Sequence, residues 1–157
     1  MTLVVSDSSP LIALSQIQQL RLLHDLFGEV VVPDAVANEV KPGLPLPAYI
    51  VTRPLAMRVP LDITLLHHKL GAGETEAIIL ASQDGADWLL VDEKPARGIA
   101  QALGLRVAGT LGLLVRAKEK GLLPAVRPHV EALMRAGFRA TPALIQHVLR
   151  GAGEAGP

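Results

Sequence analysis

The stretch WLLVDEKPARG, residues 88–98, decides the fold. Its apolar run predicts a buried strand, which ends in an acidic pair before Pro95 opens a helix. The stretch VVSDSSP, residues 4–10, has the same layout: an apolar strand, Asp7, two residues and a proline that starts a helix. Asp7 and Asp92 are therefore both predicted at the carboxyl ends of strands, where open parallel sheets bind their ligands.

Strands and helices alternate along the rest of the chain. Further apolar runs predict strands in EVVV, YIVTRPLAMRV and RVAG. The predicted helices are LIALSQIQQLRLLHDLF, PDAVANEV, ITLLHHKL, GETEAIILASQ, EKPARGIAQAL, TLGLLVRAKEK, VRPHVEALMRAGF and TPALIQHVLRGAG. Because the strands are continuous apolar runs, the pattern is typical of an α/β fold with a parallel sheet covered on both faces. No linker divides the chain, so we expect a single domain over residues 1–150 and a flexible C-terminal tail over residues 151–157.

The composition narrows the class of protein. The formal net charge is zero, which neither indicates a nucleic-acid-binding protein nor excludes a local basic patch. Cysteine is absent, which excludes disulfides, cysteine–zinc sites and thiol catalysis. Neither a secretory signal nor an apolar run of membrane-spanning length is present, so we expect a cytoplasmic protein without a membrane partner. Half of the residues are hydrophobic and the mean hydropathy is +0.37, which a large aliphatic core or a subunit interface would explain equally well.

Two further acids are predicted to face inward. Glu39 in PDAVANEV and Glu74 in GETEAIILA each share a helical face with apolar residues. A charge on an apolar face is costly unless it is paired, and no matching set of basic residues accompanies these acids. If the strands of Asp7 and Asp92 are neighbours, their ends lie roughly 5 Å apart, and the carboxylates repel unless a cation lies between them. Because hard oxygen ligands suit Mg²⁺ or Mn²⁺, the four acids together favour a metal site.

Each acid also has a purely structural explanation when it is taken alone. Asp7 and Asp92 could cap helices or turns, since Asp is common just before helices. Glu74 could complement the dipole at a helix N-terminus, and Glu39 could lie on the surface. Glu93 either supports the site or faces solvent.

Other polar residues give weaker indications of a functional role. Ser8 and Ser9 have no base placed to activate them as nucleophiles, so capping is the better explanation, although a hydroxyl could contact a metal or a phosphate. Arg97 lies one turn after Glu93, where a salt bridge is favoured over a phosphate contact. The basic run of Arg116, Lys118 and Lys120 complements a helix C-terminus, although it could also contact a phosphate backbone. No histidine pair has zinc-binding spacing, and GAGETE lacks the lysine and hydroxyl residue of a phosphate-binding P-loop.

Taken together, the motifs resemble the PIN domain. The segments that carry the resemblance are, in chain order, VVSDSSPLIAL, VVVPDAVANEV, LGAGETEAIILA, LLVDEKPARGIAQALGLRVAGTLGLL and AKEKGLL. More closely, the chain resembles a prokaryotic branch of predicted nucleic-acid-binding, PIN-like proteins related to VapC-type toxins, over the range from Thr2 to about Leu149. The resemblance implies a three-layer α/β/α sandwich with a mostly parallel sheet.

The resemblance also implies a site. The acids of the family fall on Asp7, Glu39, Glu74 and Asp92. The implied ligands of Mg²⁺ or Mn²⁺ are Asp7, Glu74 and Asp92. The candidate supporting residues are Ser8, Glu93, Arg97 and Thr110. Thr110, in GTLG, stands where the family often has a further polar or acidic residue near the metal.

The implied function is a metal-dependent endoribonuclease that hydrolyses RNA phosphodiester bonds, either alone or as the toxin of a toxin–antitoxin pair. The implied partners are an RNA substrate, an antitoxin protein and a second copy of the chain in a homodimer. One alternative is a catalytically silent PIN-like module that binds RNA or protein without turnover. Another is a phosphoacceptor or phosphatase, which needs a well-placed lysine; Lys94 follows Asp92 too closely to serve.

Overall fold

The predicted strands form one parallel sheet. A computed structural model of the chain describes residues 2–56 and 70–154. Its strands are β1 (Val4–Ser6), β2 (Val30–Val32), β3 (Ile50–Thr52), β4 (Trp88–Leu90) and β5 (Val107–Ala108). They lie in the order β3-β2-β1-β4-β5, and each neighbouring pair is parallel. The predicted α/β/α sandwich with a mostly parallel sheet is confirmed.

Helices connect and cover these strands. Those of the described residues are α1 (Ser8–Gln16), α2 (Leu22–Phe27), α3 (Asp34–Val40), α4 (Ala72–Asp84), α5 (Lys94–Ala102), α6 (Thr110–Glu119), α7 (Arg127–Arg135) and α8 (Pro142–Gly151). Helix α4 packs on β1 and β4 and contacts α3 and α5, while α6 contacts α1 and α8. Within the described ranges, no helix has the length and apolar character needed to cross a membrane. The predicted helix ITLLHHKL lies outside the described residues.

The core is aliphatic, as the composition requires. Every residue of β1 and of β2 is buried, which is expected for strands covered by helices on both faces. Helix α4 buries five successive residues, Ala77–Ala81, because it packs against the sheet and two helices at once. This packing holds the first turn of α4 close to the carboxyl end of β1.

The prediction of one helix over LIALSQIQQLRLLHDLF is wrong, because this segment forms two helices. Helix α1 ends at Gln16, and α2 begins at Leu22. Between them Gln18 has a φ of 58°, in the left-handed region, and the N–H of Gln19 donates to the carbonyl of Leu14 at 2.8 Å. The apolar spacing runs through the break because both helices bury leucines in the same core, so periodicity could not reveal it.

Residues 151–154, which the sequence assigns to a flexible tail, are held by hydrogen bonds. The Glu154 carboxylate accepts from the backbone N–H groups of Val126 (2.7 Å) and Arg127 (3.0 Å), at the start of α7. It also accepts from Lys118 Nζ at 3.0 Å. Burial raises the pKa of Glu154, but these hydrogen bonds and the Lys118 charge outweigh it and lower the pKa to about 2. Glu154 therefore joins α6 to the start of α7.

Glu154→Gln is expected to lower the free energy of unfolding by about 2 kcal/mol at neutral pH, because three hydrogen bonds lose their charged acceptor. The folded-state pKa lies below the ordinary value of 4.5, so this contribution is fully present above pH 4.5 and is lost as the pH falls toward 2. Urea unfolding at pH 7 and pH 3 measures it. Glu131→Gln, at an exposed position of α7, is the control, and equal losses in both variants would contradict the assignment.

Candidate functional site

Strands β1 and β4 bring Asp7 and Asp92 to the same edge of the sheet. In the register of this pair, Ser6 lies opposite Leu90, and the N–H of Asp7 donates to the carbonyl of Leu90 at 2.9 Å. The chain proceeds from β1 to β2 on one side and returns to β4 on the other, so the strand order reverses here. Such a switch point is where open parallel sheets bind ligands. Both acids follow the carboxyl ends of their strands, as predicted, and the two strands are parallel neighbours.

A cavity of about 280 Å³, which we call the acidic cavity, opens beside Asp7. Its lining residues are Asp7, Ser8, Ser9, Glu39, Leu70, Gly71, Gly73, Glu74, Glu93 and Pro95. Four of these described residues carry a carboxylate, and none carries a cationic side chain. The fold thus brings three of the four candidate acids to one cavity and places the fourth, Asp92, at a neighbouring one.

Asp7 is the buried acid of this cavity, with 2% of its surface exposed. It takes the N-cap position of α1 that the sequence assigned to a serine, yet its side chain makes no capping hydrogen bond. Burial is the main reason that the pKa of Asp7 is raised from 3.8 to about 7, although the N–H of Ser8 lowers it. The carboxylates of Glu74, Glu39 and Asp92 raise this pKa further. A side-chain cap therefore does not explain Asp7, whose charged form is compensated only in part, by the N–H of Ser8.

Glu39 links the starts of two helices, an arrangement we call the Glu39 bridge. Ser8 Oγ donates to Glu39 Oε2, and the N–H of Gly73 donates to Glu39 Oε1 at 3.0 Å. The residue as a whole is exposed rather than facing the core as predicted, because α3 carries it at the rim of the cavity. Through this bridge Ser8, which follows Asp7, is tied to Gly73, which precedes Glu74.

Glu74 contributes a carboxylate oxygen without a partner. Its Oε1 accepts from the N–H of Gly71 at 3.3 Å, across the first turn of α4. Its Oε2 is buried and has no hydrogen-bond partner among the described residues. Burial is the main cause of the raised pKa of Glu74; the charges of Glu93 and Glu39 add to it, and the N–H of Gly71 opposes it. The hydrogen bond at the start of α4 explains the position of Glu74 Oε1 only. Burying the acceptor Oε2 without a hydrogen bond lowers the stability of the folded protein.

Asp92 is held by Thr110. The N–H of Thr110 donates to Asp92 Oδ1 and its hydroxyl donates to Oδ2, both at 2.7 Å. Burial raises the pKa of Asp92, while the Thr110 hydrogen bonds and the charge of Arg97 lower it. Thr110, which the resemblance places near a metal, therefore orients the carboxylate of Asp92.

The favoured salt bridge between Glu93 and Arg97 is wrong. In the described parts of the chain, the ion pairs are Arg21–Asp25, Arg53–Asp84 and Lys118–Glu154. The charge of Arg97 acts instead on Asp92, and Glu93 is an exposed residue on the wall of the acidic cavity. Glu93 is the N-cap residue of α5 and has an extended backbone, so the i,i+4 spacing within a helix does not apply to this pair.

The donor set suits a hydrated divalent ion. Across residues 2–56 and 70–154, no three His, Asp or Glu side chains form a group that could hold a metal ion by themselves. Mg²⁺, however, is usually bound through one or two carboxylates and keeps several waters. Asp7 and Glu74 offer such a pair in one cavity, with one buried oxygen unpartnered and no cationic side chain in the lining. By chemical type and surroundings, these residues fit the metal that the resemblance implies.

Sequence reasoning missed residues that shape the site without carrying charge. A Cβ on Gly73 would lie 2.5–2.8 Å from the Glu39 carboxylate, and a Cβ on Gly109 would lie 2.9 Å from Asp92 Oδ1. Both glycines stand in recognisable motifs, GAGETE and GTLG, but their role depends on which side chain lies beside them after folding. Glu76 accepts a hydrogen bond from the first turn of α3 at 3.1 Å and connects α3 to α4.

Comparison with known protein families agrees with this geometry. A family model described as DUF3368: PIN domain matches residues 3–154, which is nearly the whole chain. The matched range contains both strand-end acids, every residue of the acidic cavity and the hydrogen-bonded end at Glu154. No curated protein matches the chain.

Proposed function

Since the chain belongs to the PIN-domain family, a nuclease-type fold, we propose that it is a metal-dependent ribonuclease acting at the acidic cavity. The observation that carries the proposal is the pairing of Asp7 with Glu74. Both carboxylates line one cavity, both have raised pKa values, and one Glu74 oxygen is buried without a partner among the described residues. A cofactor of the Mg²⁺ or Mn²⁺ class would compensate this charge.

In the proposed site, Asp7 and Glu74 hold the ion, and Asp92 is a third acid at the same sheet edge, oriented by Thr110. When bound, a divalent ion polarises a phosphate oxygen and lowers the pKa of an attacking water. The Glu39 bridge keeps the starts of α1 and α4 at a constant separation, which sets the spacing of the two ligands.

Glu74→Gln is expected to reduce Mn²⁺-dependent cleavage of a fluorescent single-stranded RNA by about 100-fold or more, because the neutral amide no longer holds the ion. Glu76→Gln is the matched control: it removes the same charge two residues away and keeps an oxygen acceptor for α3. Cleavage assays with Mn²⁺ and with EDTA, together with calorimetric titration of Mn²⁺, measure the effect. Wild-type cleavage that persists in EDTA, or equal losses in the two variants, would refute the proposal.

One observation favours a second candidate, a catalytically silent module that binds RNA or protein. Both oxygens of Glu39 and both oxygens of Asp92 are already occupied by hydrogen bonds. Under this alternative the wild-type protein neither binds Mn²⁺ measurably nor cleaves RNA, but still binds a ligand. The Mn²⁺ titration distinguishes the two functions before any substrate is known.

The toxin role, the antitoxin partner, the homodimer and the cytoplasmic location stay predictions from the resemblance and the composition. A toxin role predicts that expression of the wild-type chain arrests growth and that Asp7→Asn relieves the arrest. Co-expression with the product of the neighbouring gene tests for an antitoxin.

A further inference from the structure

A second cavity lies next to the acidic cavity and carries the opposite charge. It measures about 920 Å³ and shares Ser9 and Glu93 with the acidic cavity. We call it the cationic groove, and its cationic lining residues are Lys94, Arg97, Arg116 and Arg139. A space of about 1030 Å³ beside it is lined by three of the same four cations, Lys94, Arg97 and Arg139. The groove's acidic lining residues are Asp92 and Glu93, so its net charge is positive.

The charge of the groove is available to a ligand. The ion pairs of the described residues use Arg21, Arg53 and Lys118, and none of these three lines the groove. The carboxylate of Asp92 is occupied by the two hydrogen bonds from Thr110. Arg97 partly compensates Asp92, whereas Lys94, Arg116 and Arg139 form no ion pair among the described residues. The groove therefore carries an excess of positive charge, as the binding of a polyanion requires.

Trp88 holds one of these cations in place. The guanidinium carbon of Arg116 lies 4.7 Å from the centroid of a Trp88 ring, and that of Arg106 lies 4.2 Å from a ring of the same side chain. Arg116 Nε is buried and has no hydrogen-bond partner in the described part of the chain. Arg116 is thus oriented by stacking on an aromatic ring rather than by a carboxylate, which leaves its charge uncompensated at the groove wall.

The groove also carries apolar surface suited to bases. Phe138 is half-buried and lines both the groove and the space beside it. Leu144 is 42% exposed and Ile12 is 40% exposed, and both side chains face the groove. Unpaired bases offer ring faces that stack on aromatic and apolar side chains, whereas bases in a duplex are already stacked on one another.

We propose that the cationic groove binds the single-stranded RNA that flanks the phosphate being cleaved, an inference that rests on the proposed function. The phosphates contact Lys94, Arg97 and Arg139, and an unstacked base packs on Phe138. Ser9 and Glu93, shared by both cavities, mark where the strand passes from the groove into the acidic cavity. RNA is favoured over an acidic protein segment because the groove combines its cations with the aromatic ring of Phe138, on which an unpaired base can stack.

The test is binding of a fluorescein-labelled oligouridylate, measured by anisotropy in EDTA, where metal-dependent hydrolysis cannot occur. Arg139→Gln is expected to weaken binding several-fold and to reduce the slope of log affinity against log salt by about 0.7, the loss of one phosphate contact. Arg135→Gln is the matched control: it removes the same charge from an exposed position that lines neither space. Phe138→Leu keeps an apolar side chain without a ring and is expected to weaken binding about tenfold.

Equal binding by Arg139→Gln and Arg135→Gln would overturn the inference, and so would equal affinity for a duplex of the same length. If Arg139→Gln changed the oligomeric state and left RNA binding intact, the groove would belong to a second copy of the chain, which also overturns it. Because binding is measured without hydrolysis, the experiment distinguishes a failure of the proposed ribonuclease activity from a failure of RNA binding in the groove. RNA bound in the groove but never cleaved contradicts the proposed ribonuclease alone, and RNA cleaved with no effect of the groove variants contradicts this inference alone.

Discussion

Asp7→Asn is expected to make the metal-free protein more stable at pH 8 while abolishing metal-dependent RNA cleavage. The Asp7 carboxylate is 2% exposed, its pKa is raised to about 7, and no cationic side chain lines its cavity. At pH 8 the wild-type protein must therefore keep a buried charge that is compensated only in part. A neutral amide of the same shape removes that charge, with an expected gain of about 2 kcal/mol in the free energy of unfolding.

The direction of the pH dependence follows from the sign of the shift. The folded state of Asp7 holds its proton up to about pH 7, whereas an unfolded aspartate loses it near 3.8. Between these values the folded protein binds more protons than the unfolded one, so stability falls as the pH rises from about 4 to 7. The pKa values of Glu74 and Asp92 are also raised, and they act in the same direction.

Chemical denaturation of the EDTA-treated protein from pH 5 to pH 8 measures this effect. Asp7→Asn should flatten the curve, and Asp34→Asn, which removes an exposed aspartate of α3, should leave it unchanged. Adding Mn²⁺ at pH 8 should raise the melting temperature of the wild-type protein and not that of Asp7→Asn, because an ion that binds only the folded state stabilises it. A destabilised Asp7→Asn protein at pH 8 would show that the carboxylate is compensated by a group outside the acidic cavity.

Gly73→Ala is expected to reduce RNA cleavage by about 100-fold with little change in stability, since small displacements of positioning groups carry costs of that order. The added Cβ would lie 2.5–2.8 Å from three atoms of the Glu39 carboxylate, so the carboxylate must swing away. Its hydrogen bonds from Ser8 and Gly73 are then lost, and the Glu39 bridge no longer sets the separation of Asp7 and Glu74. The atoms that move belong to the end of a flexible side chain, and alanine favours the helix by about 1 kcal/mol over glycine, which offsets the lost bonds.

Gly151→Ala serves as the control, because it makes the same change at the end of α8, where a Cβ would meet nothing within 4 Å. Activity assays, melting temperatures and Mn²⁺ affinities should be compared for both variants and for Glu39→Gln. Glu39→Gln keeps polar atoms that can bond to Ser8 and Gly73, so it should retain more activity than Gly73→Ala. Full activity in Gly73→Ala would show that the Glu39 bridge does not position the site.

Local patterns determined the architecture of this chain. The short segments VVS, VVV and WLL are mostly apolar, and in the structure they become β1, β2 and β4 of a parallel sheet. The repeated arrangement of strand, Asp and proline-containing helix start placed Asp7 and Asp92 at one sheet edge. These features depend on residues close in sequence, which is why periodicity and turn chemistry reveal them.

Contacts between distant segments decided the rest. The break at Gln18, the hydrogen bonds of Glu154 and the stacking of Arg116 on Trp88 each depend on which elements become neighbours after folding. The same holds for the site. The sequence indicates which acids are candidates, but the packing of α3 against α4 brings Glu39 to the N–H of Gly73. In the folded protein one oxygen of Glu74 is left without a partner among the described residues. Burial and the distances between charges are fixed only when the helices pack on the sheet. The raised pKa of Asp7 and the separation of the acidic cavity from the cationic groove therefore depend on the tertiary structure.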